Sequence, residues 1–418
     1  MNNAIFTRFF RAGELRRVVL SFAAFFLILC SYYILRPVRD EMAVQYGADK
    51  LHWLFTGTFL LTLLVVPLFG WVVKRVSRST MLPAVYGFLI ANLLIFFIAF
   101  SPAALSMFTA AAFFMWLSVF NLFVVSLFWS NVSDSFSVEE SHRLYGYIAA
   151  GGTAGALAGP AATALLAKQV STASLVGLSA LLLAGAAVCI IALRASRPAG
   201  AQDQSRPIGG SLLAGIPLTL RLSTLRGVAL LVICYTAVST VLYVEMVDLV
   251  GKTYSDSGER KAFFASIDLA VNSLSLVLQL LGTRAIVQRY GLRLALSVVP
   301  FVVLIGFGAL TAWGTLAGLA MVQILHRAGE YAIGRPGREM IYTTVDAESR
   351  YKAKNFIDTA VYRANDAASA WLIAAIRGLG LNAIVFVGLP AAIAWLLTGI
   401  NTGRRHDQSD RTRNDEQA

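Results

Sequence analysis

The sequence is poor in charged residues and in cysteine. Only 14% of the 418 residues are charged, whereas ordinary soluble domains have about a quarter. The three cysteines, Cys30, Cys189 and Cys234, lie singly inside apolar stretches, and the four histidines show no metal-ligand spacing. We also find no nucleophile or acid–base pair typical of a catalytic site. We therefore expect neither a disulfide framework nor an enzyme, and no bound metal or cofactor.

Long apolar runs dominate the chain instead. Hydrophobic residues make up 57% of it, in unbroken stretches of about 20 residues, the length that a helix needs to cross a bilayer. Strands of a membrane barrel would be shorter and would alternate. We predict an all-α, polytopic membrane protein with about 12 transmembrane helices embedded in the lipid bilayer. The predicted spans are 18–36, 51–73, 81–100, 104–129, 144–167, 172–194, 226–250, 262–287, 294–312, 315–334, 355–376 and 380–400.

A polar segment with Pro and Gly divides these spans six plus six. We predict an N-terminal six-helix bundle at 1–194, a cytoplasmic linker at 195–225 and a C-terminal six-helix bundle at 226–402. The short charged tail at 403–418 lacks apolar residues to anchor it, so we expect it to be disordered. Two six-helix repeats around a central site are typical of transporters that work by alternating access.

The basic residues predict the orientation in the membrane. The net charge is +12, and 25 of the 35 Lys and Arg residues fall in segments that share one side of the membrane if both termini lie inside. Cytoplasmic loops carry such an excess. We expect a bacterial inner-membrane protein, a monomer, with both termini cytoplasmic. This placement of charge at membrane edges argues against nucleic acid as a partner.

Two predicted cytoplasmic loops have similar sequences. Gly70-Trp71-Val72-Val73-Lys74-Arg75-Val76-Ser77-Arg78 follows the second span, and Gln288-Arg289-Tyr290-Gly291-Leu292-Arg293 follows the eighth. Both are similar to the loop signature of the major facilitator superfamily, which the chain also resembles in architecture. Lys74, Arg75 and Arg289 are therefore candidates for gating. The alternative is that they only follow the positive-inside rule.

The first span ends in a charged cluster around a proline. Pro37 cannot donate a hydrogen bond and disfavours helical geometry at Arg36, so we expect the helix to kink or break there. Arg36, Arg39 and Asp40 lie at spacings that place them on one side of a helix. Charges within a membrane are costly and mark functional sites. The alternative is an interfacial cluster in which Arg36 pairs with Asp40 and ends the helix.

Two later spans also carry charges. Near the end of the seventh, Glu245, Asp248 and Lys252 share one face, and they could bind a substrate, take up a coupling ion or form an inert ion pair. In the tenth, Arg327 and Glu330 share a face well inside the predicted end of the span. They could line a site or could lock two helices together.

The segment before the eleventh span is the most informative. It reads Arg335-Pro336-Gly337-Arg338-Glu339-Met340-Ile341-Tyr342, then Asp346-Ala347-Glu348-Ser349, Lys352-Ala353-Lys354, Ile357-Asp358 and Arg363. It resembles the ATP/ADP antiporters of plastids and obligate intracellular bacteria, a family with Pro-x-x-Glu-Met-x-Tyr, Asp-x-Glu-Ser, alternating lysines, Ile-Asp and a downstream Arg.

Other stretches are similar to the same family. They are Ile34-Leu35-Arg36 with Arg39-Asp40, Phe128-Trp129 with Glu140-Ser141-His142-Arg143-Leu144-Tyr145, and Val247-Asp248 with Lys252. Arg39 replaces the family's usual Lys, Pro37 replaces an Asp and Asp248 replaces a Glu. The resemblance implies nucleotide exchange and substrate-binding roles for matching positions. Our substrate-binding candidates are Arg36, Arg39, Asp248, Lys252, Arg327, Lys352, Lys354 and Arg363, and our coupling or gating candidates are Asp40, Glu245, Glu330, Asp358, Lys74, Arg75 and Arg289.

The leading hypothesis is a secondary active transporter for a nucleotide or another phosphorylated, anionic small molecule, working by alternating access and by exchange. Several cations must converge in a low-dielectric cavity to offset the desolvation of a polyphosphate. One alternative is a proton- or sodium-coupled carrier of a different metabolite, in which Asp248 or Glu245 takes the coupling ion. Another is a membrane sensor or assembly partner that does not transport.

Overall fold

The computed structural model describes residues 14–75, 78–101, 106–196 and 215–415, without the side chains of 72–74, 78–80, 282–290, 347 and 409–415. Every regular element in these ranges is helical, which confirms the predicted all-α class. The α-helices are α1 (Glu14–Tyr46), α2 (Leu51–Arg75), α3 (Arg78–Ala99), α4 (Met107–Ser133), α5 (Val138–Leu166), α6 (Thr172–Ala195), α7 (Gly215–Arg221), α8 (Ser223–Thr253), α9 (Ser257–Ala312), α10 (Leu316–Gly329), α11 (Arg335–Tyr342), α12 (Ala347–Asn355), α13 (Tyr362–Gly378) and α14 (Leu389–Asp415).

Ten helical segments in the described part of the chain are long and apolar enough to cross a membrane, and α9 contributes two of them, Ser257–Leu281 and Gly291–Ala312. The two other predicted spans, 315–334 and 355–376, are also helical. Each is interrupted by a π-helical turn, at Glu330–Gly334 and at Phe356–Val361. The first of these two spans carries Arg327 and Glu330, and the second carries Asp358, Arg363 and Asp366.

The described residues fall into two compact units. Unit 1 comprises those within Met1–Met42, Phe69–Ile208 and Ser255–Leu269. Unit 2 comprises those within Ala43–Leu68, Gly209–Tyr254 and Ala270–Ala418. Each unit thus includes a helical segment from the other half of the sequence, and α2 and α9 each contribute to both. The boundaries that we place at 194 and 226 remain a prediction.

Unit 1 packs α5 closely against α1. A Cβ atom added at Gly151 or Gly155 would collide with the backbone carbonyl of Phe22 or Phe26, respectively. At Gly159 it would lie 2.7 Å from the carbonyl oxygen of Cys30. Small residues spaced four apart let two helices approach in this way. This row of glycines therefore sets the position of α1, which carries Arg36 and Arg39.

A network of charges fixes one end of α1 in unit 1. Ser137 and Glu140 form a capping box at the start of α5, and Nη2 of Arg17 lies 2.7 Å from Oε1 of the same glutamate. Arg143 pairs with buried Glu14 at 2.8 Å. Because both partners of each pair are present, the buried charges are compensated.

Unit 2 is built around α8, which packs against α10, α13 and α14. Its buried face includes Val228, Val232 and Leu242. The last helix of the unit continues to Asp415, so the described part of the segment after 403 is helical where the composition favours disorder. Asp407 in this segment accepts hydrogen bonds from the backbone N–H groups of Leu292 and Arg293. These contacts tie the end of α14 to α9.

Candidate functional site

The π-helical turn after α10 places a buried ion pair inside unit 2. Glu330, only 2% exposed, begins this turn, and its Oε1 lies 2.5 Å from Nη1 of Arg338 in α11. A Cβ atom at Gly334 would collide with the Glu330 carboxylate, so glycine leaves the room that this carboxylate occupies. π-Helical turns are rare and are frequent at functional sites. The guanidinium of Arg338 lies 5.5 Å from the ring centre of Tyr235.

The helix α12 contributes a second pair. Asp346 caps its start and accepts a hydrogen bond from the Ser349 N–H, and this bond lowers the pKa of the Asp346 carboxyl. Nζ of Lys354 lies 2.5 and 2.6 Å from the two carboxylate oxygens of Glu339 and 5.8 Å from the ring centre of Tyr342.

The helix α13 contributes a third pair. Nη1 of Arg363 lies 3.4 Å from Oδ2 of Asp366, and the guanidinium lies 5.4 Å from the ring centre of Tyr362. Asp366 is buried and also accepts a hydrogen bond of 3.1 Å from the Thr240 hydroxyl of α8. This bond anchors α13 on the central helix of unit 2.

These three arrangements repeat one pattern, and we call them the cation–carboxylate–tyrosine sets. Their members are Arg338, Glu330 and Tyr235, then Lys354, Glu339 and Tyr342, then Arg363, Asp366 and Tyr362. The cationic side chains remain partly accessible, at 13%, 38% and 26%. Each cation is thus compensated by a carboxylate, lies near an aromatic ring and keeps part of its surface exposed.

Asp358 joins two of the sets. It lies on the second π-helical turn and is exposed, and it interacts electrostatically with Arg338 and Lys354. Our sequence analysis selected Glu330, Lys354, Asp358 and Arg363 but missed Arg338, Glu339 and Asp366 as site residues. The first two stood inside the quoted motif, where their charges could have been matched with Glu330 and Lys354.

Three sequence hypotheses about this region need correction or refinement. Glu330 pairs with Arg338, which differs from the alternative in which Arg327 and Glu330 pair and lock two helices together. Arg327 is buried at 7% exposure in α10 beside His326. Lys352, two residues before Lys354, pairs with exposed Glu348 on its own helix and lies outside the three sets.

A second cluster of charges lines a cleft of about 540 Å³ in unit 2. Arg377 lies 2.8 Å from Glu245 and 3.6 Å from Asp248, and Lys252 lies 2.8 Å from Asp248. His52 and Asp49 also line the cleft. The predicted face of Glu245, Asp248 and Lys252 therefore exists, and its carboxylates share Arg377, which sequence analysis missed.

The charged cluster of α1 lies in unit 1. We expected a kink or a break at Pro37; the helix continues through it to Tyr46, so a break is wrong. A proline within a transmembrane helix is tolerated when neighbouring groups satisfy the freed carbonyl. Arg36 lies 3.3 Å from Asp268, a residue of α9 that is 1% exposed.

Arg39 completes this cluster. It pairs with Asp40 at 2.7 Å, and its guanidinium lies 5.2 Å from the ring centre of Phe114. Asp40 thus pairs with Arg39, and Arg36 pairs with Asp268. Arg36 and Arg39 thus both have carboxylate partners within unit 1.

The structure describes less of the three gating candidates in the two similar loops. Arg75 is exposed and lies 4.3 Å from the ring centre of Trp71. The side chains of Lys74 and Arg289 lie outside the described residues, and their roles stay predictions.

Comparisons with known proteins agree with this architecture. The family model "Major Facilitator Superfamily" matches residues 21–333. Among solved structures, a bacterial homologue of the iron transporter ferroportin has a TM-score of 0.66 at 13% identity, and the alignment covers 94% of this chain and 100% of that one. The nucleoside transporter NupG has a TM-score of 0.64 at 14% identity, with 94% and 98% covered.

The peptide-transporter-family protein PepTSo has a TM-score of 0.62 at 12% identity, with 95% and 98% covered. These identities are low, so the similarity speaks for the fold. No curated protein sequence matches the chain.

Proposed function

The chain belongs to the Major Facilitator Superfamily, and we propose that it exchanges nucleotides or other phosphorylated anions across the membrane by alternating access. It is a secondary transporter of a small molecule and not an enzyme. We further propose that it lies in a bacterial inner membrane with both termini in the cytoplasm, as the distribution of Lys and Arg favours.

The observation that carries the proposal is the three cation–carboxylate–tyrosine sets of unit 2. A phosphorylated solute needs several cations to offset its desolvation in a membrane protein. Arg338 and Arg363 offer planar guanidinium forks that suit phosphate oxygens, and Lys354 offers a compact charge. The side chains are accessible enough for a solute to reach them. Tyr362, which is partly exposed, adds aromatic surface of the kind that stacks on a base.

The pairing of these cations also supports exchange. Without substrate, each cation is compensated by Glu330, Glu339 or Asp366. A phosphate group that binds must displace these carboxylates, and the ion pairs must form again when it leaves. Release of the anion before the ion pairs re-form passes through a state with unpaired buried charges, which costs about 3–5 kcal/mol. A second anion that replaces the first avoids this state, which favours exchange.

The sequence motifs add support for a nucleotide. Lys354, Asp248 and Arg39 match positions that serve nucleotide exchange in the ATP/ADP antiporters that the chain resembles. The solved structures with the same fold include a nucleoside transporter. Arg39 stands where the family usually has Lys. A phosphate would therefore meet a planar guanidinium fork at this position, where a lysine would offer a compact ammonium charge.

Transport by purified protein in liposomes tests this proposal. Liposomes are loaded with ATP, ADP or buffer, and uptake of labelled nucleotide is followed. We expect saturable uptake that requires nucleotide inside. Absence of such uptake across a panel of nucleotides would overturn the nucleotide proposal.

The cleft at Arg377 favours a second candidate, an ion-coupled carrier of another metabolite. Asp248 contacts both Lys252 and Arg377, so protonation of this one carboxylate would release Lys252 and leave Arg377 paired with Glu245 alone. In that case, uptake would collapse when the proton gradient is dissipated, and Asp248→Asn would uncouple transport from the gradient. An exchange rate that does not depend on the proton gradient would exclude this candidate.

A further inference from the structure

A basic cleft of about 640 Å³ lies in unit 2, between the second half of α9 and α14. Its lining residues are Arg293, Leu294 and Ser297 of α9 and Ile400, Arg404, Asp407 and Gln408 of α14. None of these residues belongs to the three cation–carboxylate–tyrosine sets or to the cleft at Arg377. The cleft is therefore a separate feature that the proposed transport function does not use.

Close helix packing builds this cleft. A Cβ atom at Gly399 would lie 2.6 Å from the carbonyl oxygen of Leu296, and one at Gly403 would collide with the backbone of Arg293. Glycines four residues apart let α14 lie directly on α9. Asp407 then accepts hydrogen bonds of 3.0 and 3.2 Å from the N–H groups of Leu292 and Arg293. The wall of the cleft is thus fixed by backbone contacts from both helices.

The cleft carries positive charge that is available to a ligand. Arg293 and Arg404 are both exposed, and neither forms an ion pair with any residue that the structure describes. This differs from Arg36, Arg338, Arg363 and Arg377, which all have carboxylate partners. The oxygens of Asp407 accept backbone N–H groups. The two guanidinium groups thus remain available to an anion.

An apolar strip leads away from the basic cleft along both helices. On α9, Leu294 is followed at helical spacing by Phe301 and Ile305, which are 54% and 59% exposed. On α14, Arg404 is preceded at the same kind of spacing by Ile400, Leu397 and Ile393, and the last two are 54% and 47% exposed. Both rows belong to helical segments that can span the membrane. A charged cleft that continues into an apolar strip is complementary to a phospholipid, which has a charged headgroup and apolar acyl chains.

We propose that this cleft binds the headgroup of an anionic phospholipid, with Arg293 and Arg404 on the phosphate and the acyl chains along the two apolar rows. Arginine forks suit phosphate oxygens, and basic pockets between transmembrane helices bind lipid headgroups. The Lys and Arg distribution predicts that this end of α9 and α14 faces the cytoplasm, where anionic lipids attract basic residues.

Lipid binding to the purified full-length protein tests this proposal. Melting temperature is measured in detergent with added phosphatidylglycerol, with phosphatidylcholine and with free glycerol phosphate. We expect phosphatidylglycerol alone to raise the melting temperature. Removal of both cleft arginines in R293Q/R404Q should weaken its apparent affinity on the order of 30-fold, about the effect of two basic residues near an anionic membrane.

The matched control is R221Q/R226Q. It removes the same charge from two exposed arginines predicted on the same side of the membrane, and it should bind phosphatidylglycerol like the wild type. Equal losses in both double variants, or a full stabilisation by free glycerol phosphate, would overturn the proposal. If R293Q/R404Q does not fold, native mass spectrometry of R404Q decides: fewer bound phosphatidylglycerol molecules than in the wild type support the site, and equal numbers overturn it.

Discussion

The Glu330 carboxylate lies 2.5 Å from the Arg338 guanidinium across the π-helical turn that joins α10 to α11. The two residues are eight positions apart, and the extra residue of the π-helical turn changes which side chains meet on this helix. Burial makes the pair costly to break, and Tyr235 lies beside the arginine. This pair is the most buried of the three sets that we propose for substrate binding.

We predict that Glu330→Gln lowers both stability and transport. The substitution leaves Arg338 without its carboxylate, and such a loss costs about 3–5 kcal/mol for a buried pair. The double variant E330Q/R338Q removes both charges and should recover most of the melting temperature but no exchange. Full exchange by the double variant would show that the pair is structural only.

Gly334→Ala should reduce transport by displacing the Glu330 carboxylate from Arg338. The added Cβ would occupy the space of that carboxylate. The matched control is Gly308→Ala in α9, where an added Cβ meets no atom within 4 Å. We expect near-normal exchange in the control and a several-fold loss in Gly334→Ala. Equal exchange rates in both variants would contradict the role of this contact.

Lys354→Gln and Lys352→Gln form a second matched comparison. The lysines lie two residues apart on α12, but Lys354 contacts Glu339 near Tyr342, whereas Lys352 pairs with exposed Glu348. We expect Lys354→Gln to raise the KM for nucleotide at least about tenfold, because one charge-assisted contact is lost. Lys352→Gln should change it by less than about threefold, since exposed pairs contribute little. The reverse order would exclude Lys354 from the site.

Gly155→Ala should destabilise unit 1. Its Cβ would collide with the backbone carbonyl of Phe26 in α1, and overpacking of this kind costs about 1–3 kcal/mol. Gly146→Ala in the same helix meets no atom within 4 Å and should be neutral or stabilising, because alanine favours a helix over glycine. Similar melting temperatures for the two variants would contradict the packing described here.

The sequence was sufficient to predict the helical membrane fold, because long apolar runs have one stable arrangement in a bilayer. It also indicated which helices carry function, since Glu330, Lys354, Asp358 and Arg363 stand out against their apolar surroundings. The sequence did not indicate which charged residues pair with each other. Arg36 pairs with Asp268, more than 200 residues away in sequence, and no local spacing reveals such a contact.

Local rules also failed where the helix departs from regular geometry. Arg327 and Glu330 share a face in an ideal α-helix, yet the π-helical turn that starts at Glu330 directs this carboxylate to Arg338. At Pro37 the helical preference of proline predicted a kink or a break, and the helix continues without a break. Within a membrane, neighbouring helices can compensate a lost backbone hydrogen bond.

The most direct test of the central claim is a comparison of ligands that differ only in phosphate. The melting temperature of the wild-type protein is measured with a nucleoside and with its mono-, di- and triphosphate, since binding to the folded state raises apparent stability. If the three cation–carboxylate–tyrosine sets bind phosphate, stabilisation should increase with the number of phosphates and should decrease in Lys354→Gln. Equal stabilisation by the nucleoside and its triphosphate would contradict the account.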